Sequence, residues 1–161
     1  MEVTEGYWVF HWRSIGADGR ETTDLASDIK RNNVGKWMLF YPNRMMNSKW
    51  SNMCKAFDSG KLTGVIGMKC STALLNPRSS NPDEGVIILY CNNSADRDSI
   101  MEIGHRIALH LYDYPRPVIY YKTDAQTHVG TIATGATNNS TYCLEIERPI
   151  VPLFRKKLST F

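Results

Sequence analysis

Five apolar residues, Ile100, Ile103, Ile107, Ala108 and Leu111, fall on one stripe at three- and four-residue steps, and Pro115 and Pro117 close the pattern. That spacing gathers side chains on one side of an α-helix, and proline, with no N–H and a locked φ, ends it. Ser94 supplies a hydroxyl that suits the cap of this helix, which is expected to be the longest in the chain. A helix with one buried stripe needs an apolar layer to lie on, and the remaining sequence offers strands to build it.

Residues 6–12 alternate aromatic and β-branched side chains, and residues 36–41 form an apolar run that Pro42 ends. Residues 62–70 and 85–91 read as a long hairpin around a tip at 76–84 rich in Pro, Ser and Asn, and 118–121 and 142–146 read as two more strands. Two further helices are expected. Residues 22–31 place hydroxyl and acidic residues ahead of Leu25 and Ile29, and residues 47–58 carry Trp50, Met53, Cys54 and Phe57 at i, i+3, i+4, i+7 before Ser59 and Gly60.

Strands alternating with helices often make a parallel sheet. Here no glycine-rich strand-to-helix turn of the dinucleotide or P-loop kind occurs, and short helices between strands equally suit an antiparallel sheet with helices on one face. The expectation is a single α+β domain over residues 1–161, with a core at 6–147 and a basic tail at 148–161 that contains Arg155, Lys156 and Lys157.

With 42% hydrophobic and 11% aromatic residues, the chain can bury a real core, and disorder is not its default state. A net charge of +3 is too small to hold nucleic acid by charge alone, although it leaves room for a localised basic site. Cys54, Cys70, Cys91 and Cys143 lie far apart in apolar or strand-like contexts, without the close pairs that zinc requires, so all four read as buried thiols in a reducing compartment. The start Met-Glu-Val-Thr-Glu has neither a basic nor an apolar run, and no stretch approaches the ~20 apolar residues of a membrane span. Cytoplasm or nucleus is expected, with no membrane, metal or cofactor, and the oligomeric state is left open.

Two blocks carry a family resemblance. The first is Val34-Gly35-Lys36-Trp37-Met38-Leu39-Phe40, followed by Trp50, then Gly60-Lys61-Leu62, then Met68-Lys69-Cys70-Ser71-Thr72. The second is Tyr121-Lys122-Thr123-Asp124-Ala125-Gln126-Thr127-His128-Val129-Gly130, a Tyr-Lys-x-Asp-x-x-Thr-x-x-Gly signature. In order and spacing they resemble an uncharacterised eukaryotic family that includes the basophilic-leukaemia-expressed protein. That resemblance implies the fold of the cap-binding translation initiation factor 4E, a curved antiparallel sheet backed by about three helices. Arg97, Ile103-Gly104, Tyr120 and the Thr-rich segment ending near Thr131 are similar to the initiation factor itself. The initiation factor grips a methylated guanine between two tryptophans, reads its edge with a carboxylate and neutralises the phosphates with Arg and Lys. This chain departs from that pattern, because Trp37 follows the first expected helix almost directly and the segment for the second tryptophan and its carboxylate is missing. Lys69 falls near the place of a phosphate-binding basic residue.

The residues themselves offer a matching chemistry. Tyr121, Lys122, Asp124, Thr127, His128 and Thr131 form the densest polar group in the chain, directly after a strand. Lysine and hydroxyl groups hold phosphate, tyrosine stacks on a base, and histidine moves a proton near neutral pH. Asp124 and Thr127 have a plainer use as partners of loop backbone. Lys69 reads either as a solvated strand end or as a cation aimed into the hollow of the sheet. His11 and Trp12 read either as the frame of a pocket mouth, with Trp12 as a stacking surface, or as core like most aromatic residues of a first strand, and Trp8, Trp37 and Trp50 read as core. Tyr121 and Lys122 are adjacent in a strand and so point to opposite faces.

The function expected from this pattern is non-catalytic binding of a nucleotide or RNA-related phosphate ligand on the concave sheet face. Lys69 and Lys122 would meet the phosphate, Thr127, His128 and Thr131 would read polar edges, and Trp12 or Tyr121 would stack. The alternatives are a metal-independent phosphodiesterase or ribonuclease using His128, and a protein-interaction module that meets its partner through a helix face or the basic tail.

Overall fold

A computed structural model describes residues 2–12, 34–74, 81–124 and 140–147. Seven strands form one sheet: β1 (Glu2–Glu5), β2 (Trp8–Trp12), β3 (Gly35–Pro42), β4 (Val65–Ser71), β5 (Glu84–Cys91), β6 (Val118–Thr123) and β7 (Tyr142–Glu145). Their order across the sheet is β1-β2-β4-β5-β3-β6-β7, and every neighbouring pair runs antiparallel. Two helices, α1 (Asn43–Asp58) and α2 (Arg97–Ala108), complete the described α+β architecture. About three were expected; the helix anticipated at 22–31 lies outside the described residues.

Local chemistry sets the boundaries. Gly6, at φ 53°, turns the chain between β1 and β2, so the run anticipated as a strand from residue 6 begins only at Trp8. Helix α1 starts directly behind Pro42, earlier than the apolar stripe alone indicates, and buries Met46, Trp50, Met53 and Phe57. At the head of α2 the cap is Asp96 rather than Ser94, with its carboxylate accepting the Ser99 N–H at 3.1 Å. Asp98 in the first turn and His105 and Arg106 in the last suit the helix dipole. At 12 residues α2 is shorter than the 16-residue α1, contrary to expectation, because the chain leaves helical geometry after Ala108.

The core lies between the helices and one sheet face. Trp37, Leu39 and Tyr41 of β3, Met68 and Cys70 of β4, Ile87, Leu89 and Cys91 of β5 and Ile119 of β6 all enter it. Trp37 is its pivot, fully buried, with Nε1 donating to the Ile100 carbonyl at 3.3 Å. Strand β6 pairs with β3 only as far as Met38, and beyond that point the Tyr114 hydroxyl accepts the Phe40 N–H at 3.0 Å. Buried thiols are found at Cys70 and Cys91; Cys54 is half-buried, and Cys143 is exposed because β7 is an edge strand. No helix among the described residues is long and apolar enough to cross a membrane.

Helix α2 approaches β3 so closely that residue 104 has no room for a side chain. A Cβ on Gly104 would sit 2.5 Å from Cζ2 of Trp37. Gly104→Ala is therefore expected to destabilise the fold by about 1–3 kcal/mol through overpacking, read as a lower urea midpoint at unchanged slope.

Candidate ligand-binding face

Strand alternation gives every residue that faces the helices a neighbour on the other side. On that side β3 presents Lys36, Met38 and Phe40, β5 presents Val86, Ile88 and Tyr90, β4 presents Lys69, and β2 presents Trp8 and Phe10. Strand β6 adds Tyr120 and Lys122, which lie opposite Met38 and Lys36. No described helix packs on this open face, where Val34, Ile88 and Tyr90 form a second, smaller buried cluster with Trp8, Met38, Ile66 and Val86 packed against it.

Lys69 stands among three aromatic rings. Its Nζ lies 4.1 Å from the ring centre of Trp8, 5.6 Å from that of Tyr90 and 5.7 Å from that of Phe10. Ring faces attract an ammonium electrostatically without neutralising it. Burial, followed by the nearby charge of Lys36, lowers the Lys69 pKa to about 8, and the Asp124 carboxylate offsets part of that fall. Lys69 has no carboxylate within ion-pair distance among the described residues. Burial, then the charge of Asp124, also raises the Tyr90 phenol above its ordinary range. Lys36, Lys69, Tyr90 and Asp124 thus share one electrostatic neighbourhood.

Asp124 sits just past the end of β6. Its N–H donates to the Val34 carbonyl at 3.0 Å, while its carboxylate receives the Lys36 ammonium at 2.8 Å in a buried pair. The loop-backbone role read for Asp124 is thus filled by its amide, and the carboxylate is left to hold a cation. At the other end of the face Arg116 lies over the Phe40 ring at 4.6 Å and pairs with Glu84. Among the described residues no three His, Cys, Asp or Glu side chains group as metal ligands do.

The open face therefore carries both Lys69 and Lys122 of the anticipated residues. Tyr121 is not on it. That residue is fully buried on the helix side, edge-on to Trp37 at 5.4 Å and stacked on Tyr142 at 5.6 Å, so it offers no surface to a ligand. The backbone of Trp12 pairs with that of Gly67, and its side chain is outside the described set, as are Thr127, His128 and Thr131. Trp8, expected in the core, is half-buried and packs against the smaller cluster on the open face, not against the main core. His11, one place from Trp12, is buried on the helix side against Trp50 and Phe57, with Nε2 2.8 Å from Asp58.

Sequence reasoning overlooked Lys36, Phe10 and Tyr90 as members of the site. Period-two spacing from Trp8 to Phe10, and between Lys36 and the core residue Trp37, was the available signal. It becomes decisive only when one member of each strand is assigned to a face.

The family model described as Basophilic leukemia-expressed protein Bles03 matches residues 18–130. No curated protein matches the sequence. Among solved structures, schistosome eIF4E complexed with m7GpppA and 4E-BP aligns at TM-score 0.59 and 15% identity, over 88% of this chain and 72% of that one. C. elegans eIF4E-3 in complex with the 4E-binding protein Mextli and cap analog aligns at 0.58 and 10% identity, over 85% and 68%. Ascaris suum eIF4E-3 with an m2,2,7G cap aligns at 0.54 and 12% identity, over 85% and 68%. At these identities the fold is what is shared.

Proposed function

This chain belongs to the Bles03 family, and from that membership and its eIF4E-like fold we propose that its open sheet face binds the phosphate of a nucleotide or RNA-related ligand without turning it over. Lys69 and Lys122 meet the phosphate, and Lys36, already held by Asp124, adds to the positive field. Trp8, half-buried beside Lys69, replaces Tyr121 as the stacking surface. Trp12, Thr127, His128 and Thr131 keep the roles anticipated for them, as part of the same proposal. The observation that carries this reading is the Lys69 ammonium, enclosed by three rings and lacking an acidic partner among the described residues. An enclosed cation of that kind gains most from an anion that approaches beside a flat base. The eIF4E neighbours, solved with m7GpppA or with cap analog, supply a precedent for a nucleotide on this fold.

The test is calorimetric titration with guanosine triphosphate, m7GpppA and a short RNA carrying a 5′-triphosphate, with guanosine as control. Phosphorylated ligands are expected to bind and guanosine is not. Lys122→Ala is expected to weaken binding about tenfold, in keeping with one lost charge-assisted contact. No binding at millimolar ligand, or binding indifferent to the loss of both Lys69 and Lys122, sinks the proposal. RNA cleavage in the presence of chelator that disappears in His128→Ala would replace binding with phosphodiester hydrolysis. A protein-interaction role has separate support, since two of the eIF4E neighbours are solved with 4E-binding proteins.

A further inference from the structure

The helix side of the molecule carries a second cationic surface that ligand binding on the open face does not use. Between the C-terminal end of α1 and the turn after α2 lies a cleft of about 320 Å³ lined by Asn52, Lys55, Ala56, Ser59, Lys61 and His110. Three of these residues are basic and none is acidic. The carboxylates around the cleft are engaged elsewhere: Asp113 with Lys49, Glu102 with Arg106, and Asp58 with His11. Lys55 and Lys61 have no acidic partner among the described residues. His110 registers the uncompensated charge, because burial and then the Lys61 ammonium hold its imidazole below the ordinary range. An anion seated there would relieve both lysines and the histidine together.

Two large apolar side chains stand beside this cleft in solvent. Leu109 is 81% exposed and Tyr112 79% exposed, and they flank His110 in the chain. The Tyr112 ring lies 5.5 Å from the Lys49 ammonium, which ties the turn to α1. A small anion has no use for such neighbours, and a nucleic-acid backbone, met by cations and hydrogen-bond donors, gains nothing from an exposed leucine. Apolar anchors rimmed by unneutralised cations instead complement a polypeptide that alternates carboxylates with apolar side chains. We propose that the cleft at Lys55, Lys61 and His110, with Leu109 and Tyr112 on its rim, docks an acidic segment of a partner protein through its carboxylates and the apolar side chains between them.

This surface is independent of the open face, so either reading can fail without the other. The test uses the full chain and a random copolymer of glutamate and tyrosine, with polyglutamate and inorganic phosphate as comparators and the His110 imidazole followed by NMR. The copolymer is expected to move the His110 titration upward and to bind less tightly as salt rises. The double substitution Lys55→Glu/Lys61→Glu is expected to weaken it by at least about tenfold, and Leu109→Asp by about fivefold. All three positions are exposed, and unchanged thermal midpoints would show that the fold is intact; GTP affinity is expected to stay as in the parent chain. A stationary His110 titration, or affinity that survives the charge reversal, overturns the proposal. So does polyglutamate binding as tightly as the copolymer, or phosphate moving His110 equally at matched anion concentration, since either outcome leaves the apolar rim without a part.

Discussion

Replacing Lys36 alone by methionine is expected to cost the fold about 3–5 kcal/mol, the usual penalty for leaving one member of a buried ion pair without its partner. Lys36 and Asp124 are 88 positions apart in sequence and meet at 2.8 Å, with side-chain exposures of 10% and 7%. Their bond fixes the chain that leaves β6 onto the start of β3. Methionine fills the volume of the lysine stem but leaves the carboxylate in a place where water cannot replace the lost ammonium. Asp124→Leu alone should cost about as much by the same logic, whereas Lys36→Met/Asp124→Leu together should lie much closer to the parent, because no charge then remains buried. Urea unfolding of the four proteins closes the cycle. Single substitutions that each cost less than about 1 kcal/mol would mean that water reaches the pair.

Nothing in the sequence announces that pair, and the reason is physical. A lysine between glycine and tryptophan in an apolar run looks like a strand residue that turns its charge to solvent. Its partner is specified only by the register that sets Lys36 opposite Lys122 and brings the end of β6 across β3. Local periodicity, by contrast, located the strands and the two described helices. Those elements depend on neighbours three, four or two residues away, and the pattern survives without knowledge of the fold. Strand β1 escaped for the opposite reason. Glu-Val-Thr-Glu has too short an apolar signature to declare itself, and it is a strand only because Trp8–Trp12 pairs with it.

The faces of the sheet show where local reading ends. Alternation in β6 correctly separates Tyr121 from Lys122, but not which of the two meets the helices. Gly35 helps decide it. A Cβ at residue 35 would lie 2.1 Å from the Tyr121 hydroxyl oxygen, so the tyrosine occupies space that only a glycine leaves open. The same ambiguity hides which face Trp8 takes. Aromatic residues in a first strand are usually core, and Val9 and His11 take that role here. The helix face of β2 is thus filled by its smaller residues, and its larger rings are left to enclose Lys69.

Lys69→Met is expected to do two opposite things, and the combination separates a ligand cation from a structural one. Phosphate binding on the open face should fall by at least about 100-fold, because an enclosed charge-assisted contact is lost and no other cation among the described residues stands among those rings. Stability should rise at neutral pH. The folded-state pKa of Lys69 is about 8 against an ordinary 10.5, so between those values the unfolded chain retains a proton that the folded chain has released. The cost of desolvating the ammonium is therefore fully present below pH 8 and disappears as pH climbs toward 10.5, and methionine removes it throughout. In the parent chain, stability should accordingly gain from this group across that alkaline window, while phosphate affinity, which needs the ammonium, falls as pH passes about 8. A bound phosphate favours the protonated form, so binding near pH 8 should take up protons, measurable as a buffer-dependent heat. If Lys69→Met instead loses stability and keeps its affinity, the lysine is part of the packing and the ligand must be sought elsewhere on the protein.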